Sequence, residues 1–456
     1  MISTVLDELT EQLPAGVVVV DPEILDSYRR DRADLVAAGT PGALMRPTST
    51  AEVATSMRWA SHHGVTVVAR GAGSGLSGGA NAIDGCLMIS LERMRRVREI
   101  AVSDQLAVVE AGVINADLGR AVAKHGLLYP PDPGSFEIST IGGNLATNAG
   151  GMRCVKYGVT RTSTLGLEVV LADGRVLHTG GRSIKNVAGL DLTQLFVGSE
   201  GTLGIITAAT LRLQPAPTTP PATFVATFPT LASAGAALAA ITASGASPSV
   251  LEFMDHATIN AVEDHQGMDL DRNAAALVLG QADATDGPTH VAVMAECCNQ
   301  AGADFVAHTQ DPTEADLMMA ARRLAGFATM AQGPSIIEDV AVPRSRLTQM
   351  LLAIETISAQ TGMRIATVGH AGDGNLHPIL MLPDLEPSNR QLAMAAADKI
   401  SAAAIALGGT ITGEHGIGTL KRQWLKDQLD ETSLAVHANI KAALDPLNLL
   451  NPGRGF

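Results

Sequence analysis

Three glycine-rich segments in the first half of the chain place the strongest constraint on its fold. They read RGAGSGLSGGA from Arg70 to Ala80, STIGGNLATNAGG from Ser139 to Gly151, and VGSEGTLGIIT from Val197 to Thr207. Glycine accepts positive φ angles and lets backbone N–H groups converge on an anion such as a pyrophosphate. One such segment can equally be an ordinary turn. Three of them, all rich in Gly, Ser, Thr and Asn, predict the lining of one extended ligand.

The strand pattern around the first segment separates this chain from the common dinucleotide-binding fold. The run VTVVA precedes Arg70, and IDGCLMISLERM follows Ala80 as another strand with no helix between them. A Rossmann βαβ unit would place a helix after the glycines and an acidic residue about 20 positions further on. The pattern favours a larger ligand, with backbone donors for a pyrophosphate, a ribityl chain and a ring.

The 456 residues exceed what one hydrophobic core usually organises, so we expect at least two domains. Residues 1–45 predict short helices, and residues 46–214 alternate β-branched runs with glycine-rich turns. A proline-rich break, QPAPTTPPATF, begins at Gln214 and ends the first domain. We place a second domain at residues 215–410 and a C-terminal segment at residues 411–456.

The second domain alternates strands such as TFVATF and PSVLEFMD with alanine-rich helices such as LASAGAALAAITAS. This order predicts an antiparallel sheet with helices on one face. The fold class is therefore α+β in both domains, and a helical segment follows at the C-terminus.

Composition and charge exclude several classes of protein. The net charge of −14 argues against general binding to nucleic acid or anionic membranes, because both need an excess of Lys and Arg. The sequence shows no long uninterrupted apolar run and no secretory leader, which predicts a cytoplasmic protein without a transmembrane segment. Its four cysteines form no CxxC pair, so disulfides, zinc ribbons and iron–sulfur clusters are not expected.

Histidines flank a turn in the second domain, in the stretch GHAGDGNLH. The GDGN core predicts a tight hairpin, with His370 at the end of one apolar strand and His377 early in the next. Further on, GEHGIG adds Glu414 and His415 on a glycine-flanked loop. Two imidazoles and a carboxylate with an open position suit a divalent metal. From spacing alone, hydrogen-bonded packing of the histidines is the stronger alternative.

Several of these motifs occur together, and in the same order, in one known family. RGAGSGLSGG, PPDPGSFEISTIGGNLATNAGG, KYG and SEGTLGIIT resemble the FAD-linked oxidases of the vanillyl-alcohol-oxidase type. GHAGDGNLH, GEHGIG and NPGR resemble the branch with D-lactate dehydrogenase, glycolate oxidase and D-2-hydroxyglutarate dehydrogenase. The resemblance implies a PCMH-type FAD-binding domain of two α+β subdomains and a cap domain that covers the flavin ring.

The resemblance implies that FAD contacts all three glycine-rich segments and the C-terminal NPGR motif. Relatives that attach FAD covalently carry a histidine where this chain has Ser74, so we predict FAD bound without a covalent link. The residues that match the family's FAD contacts are Arg70, Gly71, Gly73, Ser74, Gly75, Leu76, Ser77, Pro131, Asp132, Gly134, Ser139, Thr140, Gly142, Gly143, Asn144, Thr147, Asn148, Gly150, Gly151, Glu200, Gly201, Gly204, Ile206 and Asn451.

The resemblance also gives roles to the histidines and to Glu414. His370, His377 and Glu414 match residues that hold a divalent metal at the substrate's hydroxyl and carboxylate, and His415 matches the residue that accepts the hydroxyl proton. We expect zinc, with manganese and cobalt as alternatives. The roles suit the chemistry, since a cation lowers the pKa of a hydroxyl that it binds and neutral imidazole is a suitable base near pH 7.

Arg322 and Asn375 complete the set that the resemblance implies. Arg322, in DLMMAARRLAGF, matches an arginine that clamps the substrate carboxylate, although two adjacent arginines can equally form a solvated helix face. Asn375 matches a substrate or flavin contact. Met319 stands where the family usually has tryptophan, and Gly326 and Ile337 align with Thr and Lys of the hydroxyglutarate enzymes. These departures favour a small 2-hydroxy acid.

Three functions are compatible with these observations. The first is an FAD-dependent dehydrogenase of a small D-2-hydroxy acid such as D-lactate, which passes electrons to a quinone, a cytochrome or an electron-transfer flavoprotein. The second is the flavin subunit of a multi-subunit glycolate oxidase, and D-2-hydroxyglutarate dehydrogenase is a related alternative. The third is a metal-binding or nucleotide-binding protein without redox turnover. A homodimer, partner subunits and peripheral attachment to a membrane are all compatible with the first two.

Overall fold

The computed structural model describes residues 5–33 and 35–456, so residues 1–4 and 34 of the predicted N-terminal segment lie outside the described residues. The chain forms two compact units. Unit 1 comprises Met1–Gly150, Gly158–Ala216 and Glu414–Phe456. Unit 2 comprises Gly151–Tyr157 and Pro217–Gly413. Unit 1 is therefore built from three separate stretches of sequence.

The helices, numbered along the chain, are α1 (Leu6–Gln12), α2 (Pro22–Tyr28), α3 (Thr50–His63), α4 (Asn115–Ala123), α5 (Ile141–Thr147), α6 (Cys154–Tyr157), α7 (Leu192–Phe196), α8 (Leu231–Ala243), α9 (His256–His265), α10 (Gly287–Gln300), α11 (Pro312–Met330), α12 (Leu347–Thr361), α13 (Pro387–Ala406), α14 (Leu425–Gln428) and α15 (Glu431–Leu444). Within the described ranges, none of them is long and apolar enough to cross a membrane.

The strands are β1 (Val18–Val19), β2 (Ala43–Met45), β3 (Val67–Arg70), β4 (Leu87–Ser90), β5 (Val97–Ala101), β6 (Leu106–Glu110), β7 (Leu127–Leu128), β8 (Thr164–Val170), β9 (Val176–Gly180), β10 (Ile205–Arg212), β11 (Gln214–Pro215), β12 (Ala222–Phe228), β13 (Val250–Asp255), β14 (Ala276–Ala282), β15 (Phe305–Thr309), β16 (Ser335–Ile337), β17 (Val340–Ala341), β18 (Arg364–His370) and β19 (Asn375–Met381).

Unit 1 contains two larger sheets. The four-stranded sheet has the order β1-β2-β4-β3, and both β2 and β3 run parallel to β4. The five-stranded sheet has the order β5-β6-β10-β8-β9 and is antiparallel throughout. A two-residue pair joins β7 to β11. This arrangement confirms the predicted α+β class.

The ends of β3 and α5 place two of the glycine-rich segments. Strand β3 ends at Arg70, so the first segment begins where the sheet ends. Helix α5 begins after Thr140, whose Oγ1 accepts a 3.2 Å hydrogen bond from the backbone N–H of Gly143. It ends at Asn148, which takes the left-handed conformation with φ 52°. A threonine N-cap and an asparagine in this conformation are the usual residues for these two positions.

Unit 2 is built on one eight-stranded sheet with the order β15-β12-β14-β13-β18-β19-β16, in which β17 also pairs with β19. Every pair in it is antiparallel, as predicted. The prediction that helices cover only one face is wrong. Successive residues of β13 and β14 are buried, so both faces are covered. Helices α8 and α10 pack against β12 and β14, while α9 and α11 contact β13 and β18.

One of these two faces contains a polar residue on β13 and another on β18. Val250 and Met254 of β13 and Val368 of β18 form an apolar core with Met319 and Ala325 of α11. Residues two apart on a strand share a face, so residue 252 of β13 and residue 370 of β18 point toward this core.

Candidate functional site

The first glycine-rich segment packs closely against the start of α5 in unit 1. A Cβ atom on Gly71 would collide with Oγ1 of Thr140, and one on Gly142 would lie 2.6 Å from Cβ of Ala111. Only glycine allows the backbone to approach this closely. The contacts bring the first two predicted FAD segments together.

The third segment joins the same place through backbone hydrogen bonds to α5. The N–H of Gly198 donates to the carbonyl of Leu145 at 2.9 Å, and the N–H of Glu200 donates to the carbonyl of Ala146 at 2.8 Å. Asn451 Nδ2 donates to the carbonyls of Glu200 and Gly79 at 2.7 and 3.1 Å. All three predicted segments and the C-terminal motif therefore converge within unit 1.

The carboxylate of Glu200 holds the C-terminal stretch of unit 1 in place. It accepts hydrogen bonds of 2.7 Å from the backbone N–H groups of Ile417 and Gly418. Burial raises the pKa of Glu200, and these two N–H groups act in the opposite direction. The side chain thus anchors the loop that carries His415, a task that the resemblance did not indicate.

Arg70, Ser139 and Asn144 of the predicted FAD segments carry buried polar atoms that fit such a ligand. Among the described residues, Arg70 Nη1, Ser139 Oγ and Asn144 Nδ2 are buried without a hydrogen-bond partner. Burial lowers the pKa of Arg70. Buried polar atoms are costly unless they are hydrogen-bonded, and the phosphates and ribityl hydroxyls of FAD would supply partners. The residues present therefore fit the cofactor.

The predicted base, His415, lies beside these segments in unit 1. Its backbone carbonyl accepts a 3.1 Å hydrogen bond from Ser77 Oγ, in the first glycine-rich segment. Its Nε2 lies 3.8 Å from Oε1 of Glu414. A Cβ atom on Gly150 would collide with Oε2 of Glu414, so this carboxylate lies against the end of the second segment.

Three predicted FAD residues, Gly204, Ile206 and Gly134, lie away from the positions where the segments contact one another. A Cβ atom on Gly204 would lie 2.5 Å from Cγ1 of Val169, and Ile206 belongs to the core of the five-stranded sheet. Gly134 is exposed, and a Cβ atom there would meet nothing within 4 Å. Packing explains the first two, while the structure gives Gly134 no close neighbour.

The hairpin in unit 2 brings His370 and His377 together. Strands β18 and β19 pair His370 with Asn375 and Val368 with His377. His377 therefore lies across from a residue that shares a face with His370. Their ring centroids are 5.1 Å apart and the ring planes are nearly perpendicular, at 83°. Both side chains are buried.

Glu252, which sequence reasoning missed, connects His370 to Arg322. Its two carboxylate oxygens lie 2.9 and 3.0 Å from His370 Nδ1. Its Oε2 lies 2.6 Å from Nε of Arg322 as an ion pair, which is close in distance although the N–H is not aligned as a hydrogen bond. Glu252 is fully buried. The available signal was the acidic residue in the middle of the apolar run VLEFM.

Asp339, which sequence reasoning also missed, contacts Asn375, Thr412 and His377. Asn375 Nδ2 donates to Asp339 Oδ1 at 2.8 Å, and Thr412 Oγ1 donates to Oδ2 at 2.7 Å. His377 Nδ1 lies 3.5 Å from Oδ1. The backbone N–H of Gly413 donates to the Asp339 carbonyl at 3.1 Å. Here the sequence signal was the acidic pair in the apolar run SIIEDVAV.

Comparisons with known proteins agree with this geometry. The profile of the FAD binding domain matches residues 41–180, and that of FAD linked oxidases, C-terminal domain, matches residues 220–454. The chain is 41% identical over 422 residues to glycolate oxidase subunit GlcD of Bacillus subtilis, covering 91% of this chain and 89% of that protein. It is 34% identical over 456 residues to D-lactate dehydrogenase of Archaeoglobus fulgidus, covering 98% of each.

Solved structures show the same fold at low sequence identity. The structure of p-cresol methylhydroxylase with substrate bound matches with a TM-score of 0.81 at 15% identity, covering 99% of this chain and 96% of that one. The converging loops of unit 1, the matched profiles and the relatives lead to one assignment: the chain belongs to the FAD-linked oxidases and has the PCMH-type FAD-binding fold.

Proposed function

We propose that this protein is an FAD-dependent dehydrogenase that oxidises a small D-2-hydroxy acid, such as D-lactate, to the 2-oxo acid. The observation that carries the proposal is a cluster of buried side chains in unit 2. Arg322 and His370 both contact the carboxylate of Glu252, and the ring of His370 lies beside that of His377. An arginine suits a carboxylate, and paired imidazoles suit a cation that binds a hydroxyl. A 2-hydroxy acid presents both groups on adjacent carbons.

The residues divide the work of the reaction. Bound FAD supplies the acceptor for the hydride, which no side chain can take. Arg322 binds the substrate carboxylate, Asn375 orients the substrate, and His415 takes the hydroxyl proton on its imidazole. Unperturbed imidazole has a pKa near neutrality, so it accepts and releases this proton readily.

We further propose that a divalent metal binds His370 and His377, with Glu414 as third ligand. Hydrogen bonding of His370 Nδ1 to Glu252 leaves Nε2 for the metal. Glu414 follows Gly413 directly in the chain, and Gly413 is itself hydrogen-bonded to Asp339 in unit 2. Zinc fits two imidazoles and one carboxylate with an open position, and manganese or cobalt are the alternatives.

FAD is proposed to bind without a covalent link, because Ser74 has no nucleophilic imidazole to offer. We propose residues 46–214 as the FAD-binding domain, residues 215–410 as the cap, and residues 411–456 as the segment that returns to the flavin. The electrons then pass to a quinone, a cytochrome or an electron-transfer flavoprotein.

A second candidate function is the flavin subunit of a glycolate oxidase. The relative from Bacillus subtilis that supports it is named as a subunit. In that case glycolate would reduce the flavin of the isolated chain, but catalytic turnover would require partner chains that accept the electrons.

The test is an anaerobic absorbance spectrum of the purified protein with D-lactate, L-lactate, glycolate and D-2-hydroxyglutarate in turn. We expect D-lactate to bleach the flavin band near ~450 nm, because the reduced flavin loses that band. Bleaching by glycolate alone would favour the second candidate. A protein that takes up FAD and is bleached by none of the four would contradict the proposed substrate class.

A further inference from the structure

We propose that Glu252 is a positioning residue that fixes His370 and Arg322 at the same time, so that metal affinity and substrate affinity depend on one carboxylate. The inference rests on the proposed function, which gives His370 and Arg322 separate tasks. Glu252 itself is not expected to touch metal or substrate.

The sheet register sets Glu252 in place. Strand β13 pairs Phe253 with Gly369 and Met254 with Val368 of β18, so residue 252 lies across from residue 370. The neighbours of Glu252 on its face of β13, Val250 and Met254, belong to an apolar core. A carboxylate in such a layer is costly unless it is paired with cations or hydrogen-bond donors. Its position beside His370 therefore has a purpose beyond packing.

The contact with His370 determines which ring nitrogen carries the proton. A carboxylate within 3.0 Å of Nδ1 stabilises the N–H at that atom, which leaves the lone pair on Nε2. Metal-binding histidines commonly have such a carboxylate partner, and loss of the partner typically lowers metal affinity about 10- to 100-fold.

The contact with Arg322 determines which edge of the guanidinium meets the substrate. Pairing of Nε with Oε2 at 2.6 Å directs that edge of the guanidinium toward Glu252. A guanidinium has five N–H donors in a fixed fork, so pairing at Nε leaves the donors of its Nη groups to bind a carboxylate. Arg322 is 9% exposed and its position on α11 is fixed by packing, so few other orientations are open to it.

The test compares Glu252→Gln with Asp255→Asn in the FAD-loaded protein. Asp255 is on the same strand, and its carboxylate accepts backbone N–H groups of Thr258 and Thr367 at 2.8 and 2.7 Å. Zinc affinity is measured by competition with a chelator, and the KM for D-lactate is measured separately from kcat. We expect Glu252→Gln to weaken zinc binding about 10- to 100-fold and to raise KM, while Asp255→Asn changes neither.

A double variant separates positioning from general destabilisation. With zinc kept saturating, Glu252→Gln raises KM in the native background and leaves it unchanged in an Arg322→Ala background if Glu252 acts on substrate through Arg322. Unfolding curves and the FAD spectrum show whether each variant is folded. A folded Glu252→Gln protein with native zinc affinity and native KM would overturn the inference.

Failure of the proposed function gives a different pattern. If the native protein binds no zinc, manganese or cobalt, the metal site is wrong and the His370 half of the inference is overturned with it. The Arg322 half is then decided by the KM measurements alone. If Glu252→Gln and Asp255→Asn weaken zinc binding equally, the effect is one of strand stability, and Glu252 has no special role.

Discussion

The two units build their candidate sites from different parts of the chain, one from backbone and the other from side chains. In unit 1 the candidate FAD site is made mostly of backbone, brought close by glycines such as Gly71 and Gly142. In unit 2 the candidate substrate residues are buried charged side chains, held by Glu252 and Asp339 on an antiparallel sheet. A site made of backbone should tolerate side-chain substitutions at positions other than its glycines. In a cluster of buried charges, the loss of any one partner leaves another charge unpaired. The predictions below test this contrast, from the largest expected effect to the smallest.

His415 is the side chain of unit 1 that is proposed to take the proton from the substrate's hydroxyl. We expect His415→Ala to lower the rate of flavin reduction at saturating D-lactate about 10²- to 10⁴-fold, the usual contribution of a general base. Stopped-flow absorbance of the flavin measures this. The control is His178→Ala, because His178 is exposed on β9. Reduction of His415→Ala at the native rate would remove its assignment as the base.

The proposed metal should be removable without loss of FAD from unit 1. We expect dialysis against a chelator to lower flavin reduction by D-lactate at least about 100-fold, because the cation no longer stabilises the developing alkoxide. Zinc should restore the rate, and the FAD spectrum should stay unchanged throughout. His377→Ala should abolish the recovery. An unchanged rate after chelation would mean that His370 and His377 form a structural pair.

The stability of unit 2 should depend on pH through Asp255. Burial raises the pKa of Asp255 from its ordinary value of 3.8 to about 6. Between these values the folded state binds more protons than the unfolded state, so the free energy of unfolding falls as pH rises. The expected loss from pH 4 to pH 6 is about 2 kcal/mol, measured by urea unfolding. Asp255→Asn should abolish this dependence, and a slope that survives the substitution would assign it to other groups.

Arg454 is expected to stabilise the candidate FAD site of unit 1 through hydrogen bonds to backbone carbonyls. Its Nε donates to the carbonyl of Gly78 at 3.3 Å, and its Nη2 donates to the carbonyl of Asn81. Burial lowers the pKa of Arg454. We expect Arg454→Ala to weaken FAD binding about 30-fold, the loss of about 2 kcal/mol from charged hydrogen bonds. Arg422→Ala, at an exposed residue, is the control, and FAD titration of the apoprotein is the measurement.

Two glycines among the predicted FAD contacts provide the test with the smallest expected effect. Gly71→Ala should reduce the free energy of unfolding by about 1–2 kcal/mol and weaken FAD, because its Cβ would collide with Thr140. Gly134→Ala should be neutral, since its Cβ meets nothing within 4 Å. Thermal unfolding and FAD titration of both variants measure this. Equal effects at the two positions would argue against close backbone approach as the reason for the glycines.

The parts of the molecule that were predictable from sequence are those determined by neighbours in sequence. The hairpin at GDGN was correct because Asp373 and Gly374 set the turn locally, and Gly374 does adopt φ 77°. The α+β class followed from the alternation of strands and helices. The comparisons identify the FAD-linked oxidase family that the glycine-rich motifs resembled.

Glu252 and Asp339 could not be assigned because their partners are distant in sequence. Glu252 and His370 are separated by 118 positions, and no local pattern specifies which strand will pair with β13. The sequence also did not predict that both faces of the unit 2 sheet are covered, because this depends on where helices α8 and α9 pack in the folded chain. Acidic residues inside apolar strands are the signal to look for, because burial obliges them to find partners.

Unit 1 is assembled from three separate stretches of sequence, and this affects the order in which the two units can fold during synthesis. Residues 414–456 follow all of unit 2, yet Glu200, Ser77 and Gly79 depend on them for hydrogen bonds. A chain that leaves the ribosome from its N-terminus can therefore complete unit 2 while unit 1 still lacks one of its parts. We therefore expect FAD uptake to be a late event in biosynthesis, and free flavin nucleotide to stabilise the finished chain most strongly.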